Sequence, residues 1–231
     1  MDGPFIDTRR TDATMDTEGT TEHSTRRRFV ASVAGAGAVG LAGCGELGGS
    51  DSDGTPVPSD AETLPTPVLG DPDADVTVMA FEDYVCGHCA SYVLQEFPQL
   101  IDEYVEPGRI RYEHHDFPLP LSEQSWRAPS AARAVQDTVG PEAYWQFSQS
   151  LYANQSNLGP DLYATLAEEV GADPETVRTA AAEERYETTV RADRQYGDGL
   201  GVDSTPTVFV DGSALDSYAF DAISQAIEDA L

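Results

Sequence analysis

Two thiols three positions apart, in Cys86-Gly87-His88-Cys89, carry the clearest chemistry in this chain. They follow a strand-like apolar run, Val76 to Phe81, and open a helix-like stretch. Thiols at this spacing can close a disulfide and open it again, which is thiol–disulfide exchange. At a helix start, the Cys86 thiolate meets the positive end of the macrodipole and free backbone N–H groups. A protonated His88 adds positive charge beside it and lowers the Cys86 pKa further. Cys86 is therefore the expected nucleophile. Cys89, one turn on and deeper, is the expected resolving thiol, which attacks a mixed disulfide and releases the substrate. Stabilising the thiolate stabilises the reduced form and makes the disulfide a stronger oxidant, about 30 mV for about 1.4 kcal/mol.

The competing use of such a pair is half of a zinc site. The chain has three cysteines, so zinc would need two histidines. His114 and His115 are adjacent, and neighbours on a strand point to opposite faces, so they do not readily share one ion. One of the two is expected to be buried and the other solvated. No metal is expected. A second motif, Ser204-Thr205-Pro206-Thr207, stands directly before the apolar run Val208-Phe209-Val210. On its own it reads as a strand entry, where proline is tolerated.

The elements that must position these residues begin near Asp71. Val76–Phe81 reads as a strand, 87–105 as a helix broken or kinked at Pro98, and Arg109–His115 as a second strand. Together they form a βαβ unit, right-handed by default. Residues 122–200 read as helices in pieces. Gly140-Pro141 punctuates them, and Tyr144, Phe147, Leu151 and Tyr152 share one face. Leu162, Leu166 and Val170 share another, and Asp173 caps a helix with Pro174 at its first position. Thr207–Val210 reads as a strand turned at Asp211-Gly212 toward a short partner at Ser213–Leu215. A last helix presents Phe220, Ile223, Ile227 and Leu231 on one stripe.

Upstream of Asp71 the pattern changes. Residues 1–23 are polar and without periodicity. Arg26-Arg27-Arg28-Phe29 and a mild apolar run to Gly43 resemble a twin-arginine export signal. That run is too short to span a bilayer comfortably, which takes about 20 residues. It ends in Leu41-Ala42-Gly43-Cys44, which resembles a lipobox with Cys44 as the lipid-attachment residue. Modification of Cys44 leaves Cys86 and Cys89 as the free thiols of the mature chain, which suits an oxidising compartment. Residues 1–43 are thus expected to be a tail and signal, 44–70 a flexible tether, and 71–231 the globular domain, placed outside the cytoplasm and held at the membrane by lipid.

The 231 residues include 41 acidic and 13 basic side chains, for a formal charge of −28. All of the basic residues are arginine. An acidic, lysine-free chain resembles proteins of extreme halophiles. In molar salt the Debye length falls to about 3 Å and self-repulsion is screened. Such a charge argues against a nucleic-acid partner, which needs a basic face.

Taken together, several stretches resemble the DsbA-like branch of the thioredoxin superfamily. They are Gly70 to Val78, Phe81-Glu82-Asp83-Tyr84-Val85-Cys86-Gly87-His88-Cys89, His115-Asp116-Phe117-Pro118-Leu119, Trp145 with Phe147, and Gly201 to Thr207 with Asp211-Gly212. The resemblance implies an α/β thioredoxin-like fold with a helical insertion, about 122–200, between its βαβ and ββα halves. It implies a cis Thr205–Pro206 bond facing the cysteines, with Thr205 and Pro206 docking substrate. It also implies no cofactor beyond the Cys86–Cys89 disulfide. One departure stands out. Such proteins often carry an acid six positions before the first cysteine, as proton acceptor for the resolving thiol, and here that position is Ala80. Strand alternation puts Glu82 on the same side as Ala80, so Glu82 either takes over the proton or is a solvated carboxylate.

The expected function is that of an exported, membrane-anchored thiol–disulfide oxidoreductase. It would act on cysteines of other exported proteins, in the oxidising direction, with a separate membrane redox partner to re-oxidise it. The alternatives are a reductase or isomerase of the same fold, for example in cytochrome assembly, and a binding module whose disulfide is merely structural.

Overall fold

The structure is a computed structural model and describes residues 63–231. The signal-like stretch, Cys44 and most of the expected tether lie outside those residues. Five strands form one mixed sheet in the order β1-β3-β2-β4-β5. Their ranges are β1 Val68–Gly70, β2 Val76–Glu82, β3 Ile110–Asp116, β4 Thr207–Val210 and β5 Ser213–Ala214. The central pair, β2 and β3, is parallel, and the other neighbours are antiparallel.

Alternation along β2 divides its side chains between two cores. Val76, Val78 and Ala80 face a large core closed by most of the helices. Met79 and Phe81 face a smaller one with Phe117, Val202 and Phe209. Both faces of the central strands are covered, as a parallel pair requires.

The stretch from 87 to 105 is helical but not uniformly so. α1 (Gly87–Ser91) runs into a π-turn (Tyr92–Glu96), then α2 (Phe97–Leu100), then a second π-turn (Ile101–Val105). Pro98 has no N–H to give to the preceding turn. The first π-turn ends at Glu96, two residues before it, with the Phe97 N–H reaching back to the Tyr92 carbonyl. The expected break is therefore taken up by wider turns rather than by a loop.

α3 (Gln124–Thr138), α4 (Pro141–Ala153), α5 (Pro160–Glu169) and α6 (Pro174–Ala182) form the helical insertion. α4 and α5 each have Pro at their first helical position after a glycine, and α6 starts on Asp173, whose side chain accepts the Thr176 N–H at 2.8 Å. α7 (Glu187–Leu200) then crosses the second face of the sheet. Gly197 is what lets it come close: a Cβ there would sit 2.8 Å from the Phe117 ring and 2.9 Å from Phe81. α8 (Phe220–Ala230) closes the first face with Ile223 and Ile227 fully buried.

Three expectations need correction. The tether does not run to Gly70. Val68–Gly70 pairs with β3, the His114 N–H donates to the Pro67 carbonyl at 3.1 Å, and Gln136 and Arg133 both donate to the Pro65 carbonyl. Gly70 ends this strand at φ +82, where a Cβ would fall 2.3 Å from the Ile110 carbonyl oxygen. Leu231 is exposed rather than part of the α8 stripe, because α8 ends at Ala230. His114 and His115 do point to opposite faces, but both are buried, because α7 covers the side on which His115 emerges.

Candidate active site

Strand β2 ends at Glu82, and a tight turn carries the chain from Asp83 to Cys86, the N-cap of α1. The Cys86 N–H donates to the Asp83 carbonyl at 3.0 Å. The Asp83 carboxylate accepts the Val85 N–H and the Leu119 N–H, each at 2.8 Å, so it ties the turn to the loop after β3. Burial raises the Asp83 pKa despite these hydrogen bonds, and the nearby Cys86 adds to the rise. Cys86 has φ −74 and ψ 120, the extended conformation of a cap, and its carbonyl accepts the Ala90 N–H.

Cys86 and Cys89 are both free thiols. Cys86 is 8% exposed and Cys89 is fully buried. The Cys86 thiol donates to the Thr205 carbonyl at 3.2 Å, and the Thr205–Pro206 bond is cis. The fold thus brings the two cysteines together with Thr205 and Pro206, 119 residues away in sequence.

The electrostatics separate the two thiols. The neighbouring Cys89 thiol holds the Cys86 pKa down to about 5, with help from the Thr205 side chain and the backbone N–H groups of Cys89 and His88; burial opposes this and does not prevail. Cys89 is pushed far up, first by burial, then by its hydrogen bond to Cys86 and by the charge of Glu82. The surroundings thus favour loss of the proton from Cys86 and its retention on Cys89.

His88 contributes to Cys86 through its backbone N–H. Its exposed ring turns the other way, with Nδ1 3.0 Å from the Tyr218 hydroxyl. Ala80 is fully buried and leaves its position under the site without an acid. Glu82, two residues on and on the same face, is 2% exposed and so is not a solvated carboxylate. Its Oε1 lies 3.3 Å from His114 Nδ1 and 3.4 Å from the Tyr112 hydroxyl, and its Oε2 has no partner among the described residues.

His114 carries the buried charge onward. Its Nε2 lies 3.3 Å from Asp116, whose other oxygen accepts from the fully buried Arg133 at 2.8 Å. Burial alone would lower the His114 pKa, but Asp116 and Glu82 raise it to about 9. Arg133 and His114 hold Asp116 down at about 2 against the effect of burial. His114 thus bridges the side chains of Glu82 and Asp116, and both favour its charged form.

Two contacts at the site have no signature in the sequence. Gln155, in the 3-10 turn Gln155–Asn157 after α4, donates to the carbonyls of Tyr84 and Cys86, both at 2.8 Å. Tyr218, before α8, meets the His88 ring. Each partner lies at least 69 residues from its counterpart, beyond the reach of local spacing. Among the described residues, no group of three or more His, Cys, Asp or Glu side chains is placed to hold a metal ion.

Comparison with known proteins gives a consistent result. A family model described as Thioredoxin matches residues 62–229. Disulfide bond formation protein D of Bacillus subtilis (strain 168) is 26% identical over 169 residues, which is 70% of this chain and 75% of that protein. The crystal structure of oxidised BdbD from Bacillus subtilis matches with a TM-score of 0.67 at 26% identity, covering 71% of this chain and 92% of that one. Chlamydia trachomatis DsbA, at 21% identity, shares the fold with a TM-score of 0.62 over 73% of this chain and 93% of its own.

Proposed function

Because the chain belongs to the thioredoxin family and is a protein disulfide oxidoreductase of the DsbA-like kind, we propose that it oxidises cysteine pairs of exported proteins from a lipid anchor at the membrane. The observation that carries the oxidising direction is the opposed setting of the two thiols. Cys86 is held as a thiolate with a pKa of about 5, and Cys89 keeps its proton. A stabilised thiolate belongs to the reduced protein, so reduction of the disulfide is favoured and the disulfide is a strong oxidant.

In this reading a substrate thiolate attacks Sγ of Cys86 in the disulfide. The Cys86–Cys89 bond breaks as the Cys86–substrate bond forms, and Cys89 leaves with the electron pair and takes up a proton. A second substrate thiolate then attacks the substrate sulfur, and Cys86 departs as thiolate. The substrate loses two electrons and gains a disulfide, and the cysteine pair is left reduced. Thr205 and Pro206, beside the Cys86 sulfur, are the docking edge for the substrate backbone. Glu82 exchanges the proton with Cys89, taking the part that Ala80 cannot. A membrane protein of compatible potential re-oxidises the pair.

Export rests on the twin-arginine-like stretch and anchoring on Cys44. A trapping experiment tests both in cells. Cys89→Ser, which cannot resolve, accumulates mixed disulfides between Cys86 and exported proteins in the membrane fraction. Adding Cys44→Ser moves those adducts to the soluble fraction. A Cys89→Ser protein without adducts, its Cys86 inert at neutral pH, would instead mark a binding module, and adducts that stay with the membrane after Cys44→Ser would remove the lipid anchor.

A further inference from the structure

We propose that Gln155 is a positioning residue of the active site, through which the helical insertion sets the backbone of the Cys86 turn and hence the reactivity of its thiol. The proposal rests on Cys86 being the exchanging thiol. A single atom, Gln155 Nε2, donates to the carbonyls of Tyr84 and Cys86, both at 2.8 Å. Two donors from one uncharged atom are what a primary amide offers and what no hydroxyl or apolar side chain can.

The same region of the insertion grips Tyr84 twice more. The Tyr84 hydroxyl pairs with Ser148 Oγ at 2.9 Å, and its ring packs on Tyr152 with centroids 4.7 Å apart. α4 and the turn after it therefore hold residue 84 by hydroxyl, ring and carbonyl, and residue 86 by carbonyl.

The Cys86 carbonyl and the Cys86 side chain leave the same Cα. At ψ 120 the carbonyl faces Gln155 and the Ala90 N–H, while the sulfur meets the N–H groups of His88 and Cys89 and the Thr205 carbonyl. A carbonyl free to swing changes ψ and carries the first turn of α1 away from the sulfur. Gln155 touches neither the sulfur nor any reacting atom, so it acts through Cys86. The titratable groups facing the thiol are Cys89 in α1 and Asp83 in the turn before it; the ring of the adjacent His88 pairs with Tyr218 instead. None of them is altered by a change at position 155.

The test is titration of the Cys86 thiolate by ultraviolet absorbance, with the reduction potential, in the full chain and in Gln155→Met and Gln155→Glu. Methionine keeps the length and removes both donors; glutamate presents an anion to two carbonyl oxygens. The expected result for Gln155→Met is a Cys86 pKa about one unit higher and a potential about 30 mV more negative, the same tenfold change on both scales. Gln155→Glu gives a larger rise. Far-UV circular dichroism identifies folded samples, and the exposed polar turn makes the glutamate variant the safeguard if methionine misfolds. Variants that lose thermal stability yet keep the parent's Cys86 pKa and potential would overturn the positioning role alone. A parent whose Cys86 titrates like an ordinary thiol would overturn the redox reading on which it rests.

Discussion

At the scale of single residues, the site is a pair of thiols made unlike by their surroundings. Spacing and position at a helix start were enough to pick out Cys86 and Cys89 and to order their exposure. What spacing could not give was the source of the asymmetry. His88 looked like the tuning charge, yet its ring points to Tyr218 and only its N–H serves Cys86. Strand alternation did place Glu82 under the site in the absence of an acid at Ala80. It lies buried against Tyr112 and His114 of β3, contacts that no local pattern encodes. Glu82→Gln separates its two effects. Removing the charge lets the Cys89 pKa fall, since Glu82 helps to hold it up. Removing the base slows attack by Cys89 on a mixed disulfide, by about a hundredfold if general-base catalysis here has its usual size. Stopped-flow resolution of a Cys86 mixed disulfide reads the rate. A lower Cys89 pKa with an unchanged rate would leave Glu82 an electrostatic neighbour and nothing more.

At the scale of elements, the βαβ core and the insertion were legible because each has a clear period or stop signal. The edge strand β1 was not. Val68–Gly70 is three residues in a proline-rich stretch, and its pairing comes entirely from β3. The two histidines of β3 were read as one buried and one solvated because the cover supplied by α7 has no local trace. The burial of His114 on the opposite face, beside Glu82 and Asp116, has a thermodynamic consequence. The His114 pKa is raised from 6.5 to about 9 by Asp116 and Glu82, which overcome burial. A group with a raised folded-state pKa stabilises fully below its unfolded value and loses that contribution as pH rises through the folded one. The folded state should therefore weaken between about pH 6.5 and 9, and His114→Gln should flatten that part of the profile. Thermal melting across this range, with the pair kept oxidised to remove thiol titration, measures it. Equal slopes in parent and variant would show that His114 carries no charge in the folded state.

At the scale of the whole molecule, charge is the dominant fact. Each arginine of the described residues is within 4 Å of a carboxylate, from the buried Arg133 to the surface pairs Arg109–Glu228 and Arg191–Glu187. Over the whole chain, 41 acidic against 13 basic side chains leave a large excess of negative charge. We read this as adaptation to high salt. At about 0.1 M salt the Debye length is about 10 Å and neighbouring carboxylates repel; in molar salt it is about 3 Å and they do not. The unfolding midpoint should rise steadily from dilute buffer to molar potassium chloride. A midpoint that is constant or falls would contradict the halophilic reading, while leaving the site chemistry untouched.

The reduction potential of the Cys86–Cys89 pair, taken by equilibration with glutathione in high salt, tests the central claim most directly. With the Cys86 pKa lowered to about 5 and that of Cys89 raised, the expected value is that of an oxidant, between about −180 and −120 mV. A value near about −270 mV, that of a reducing thioredoxin, would contradict the account and make the protein a reductase.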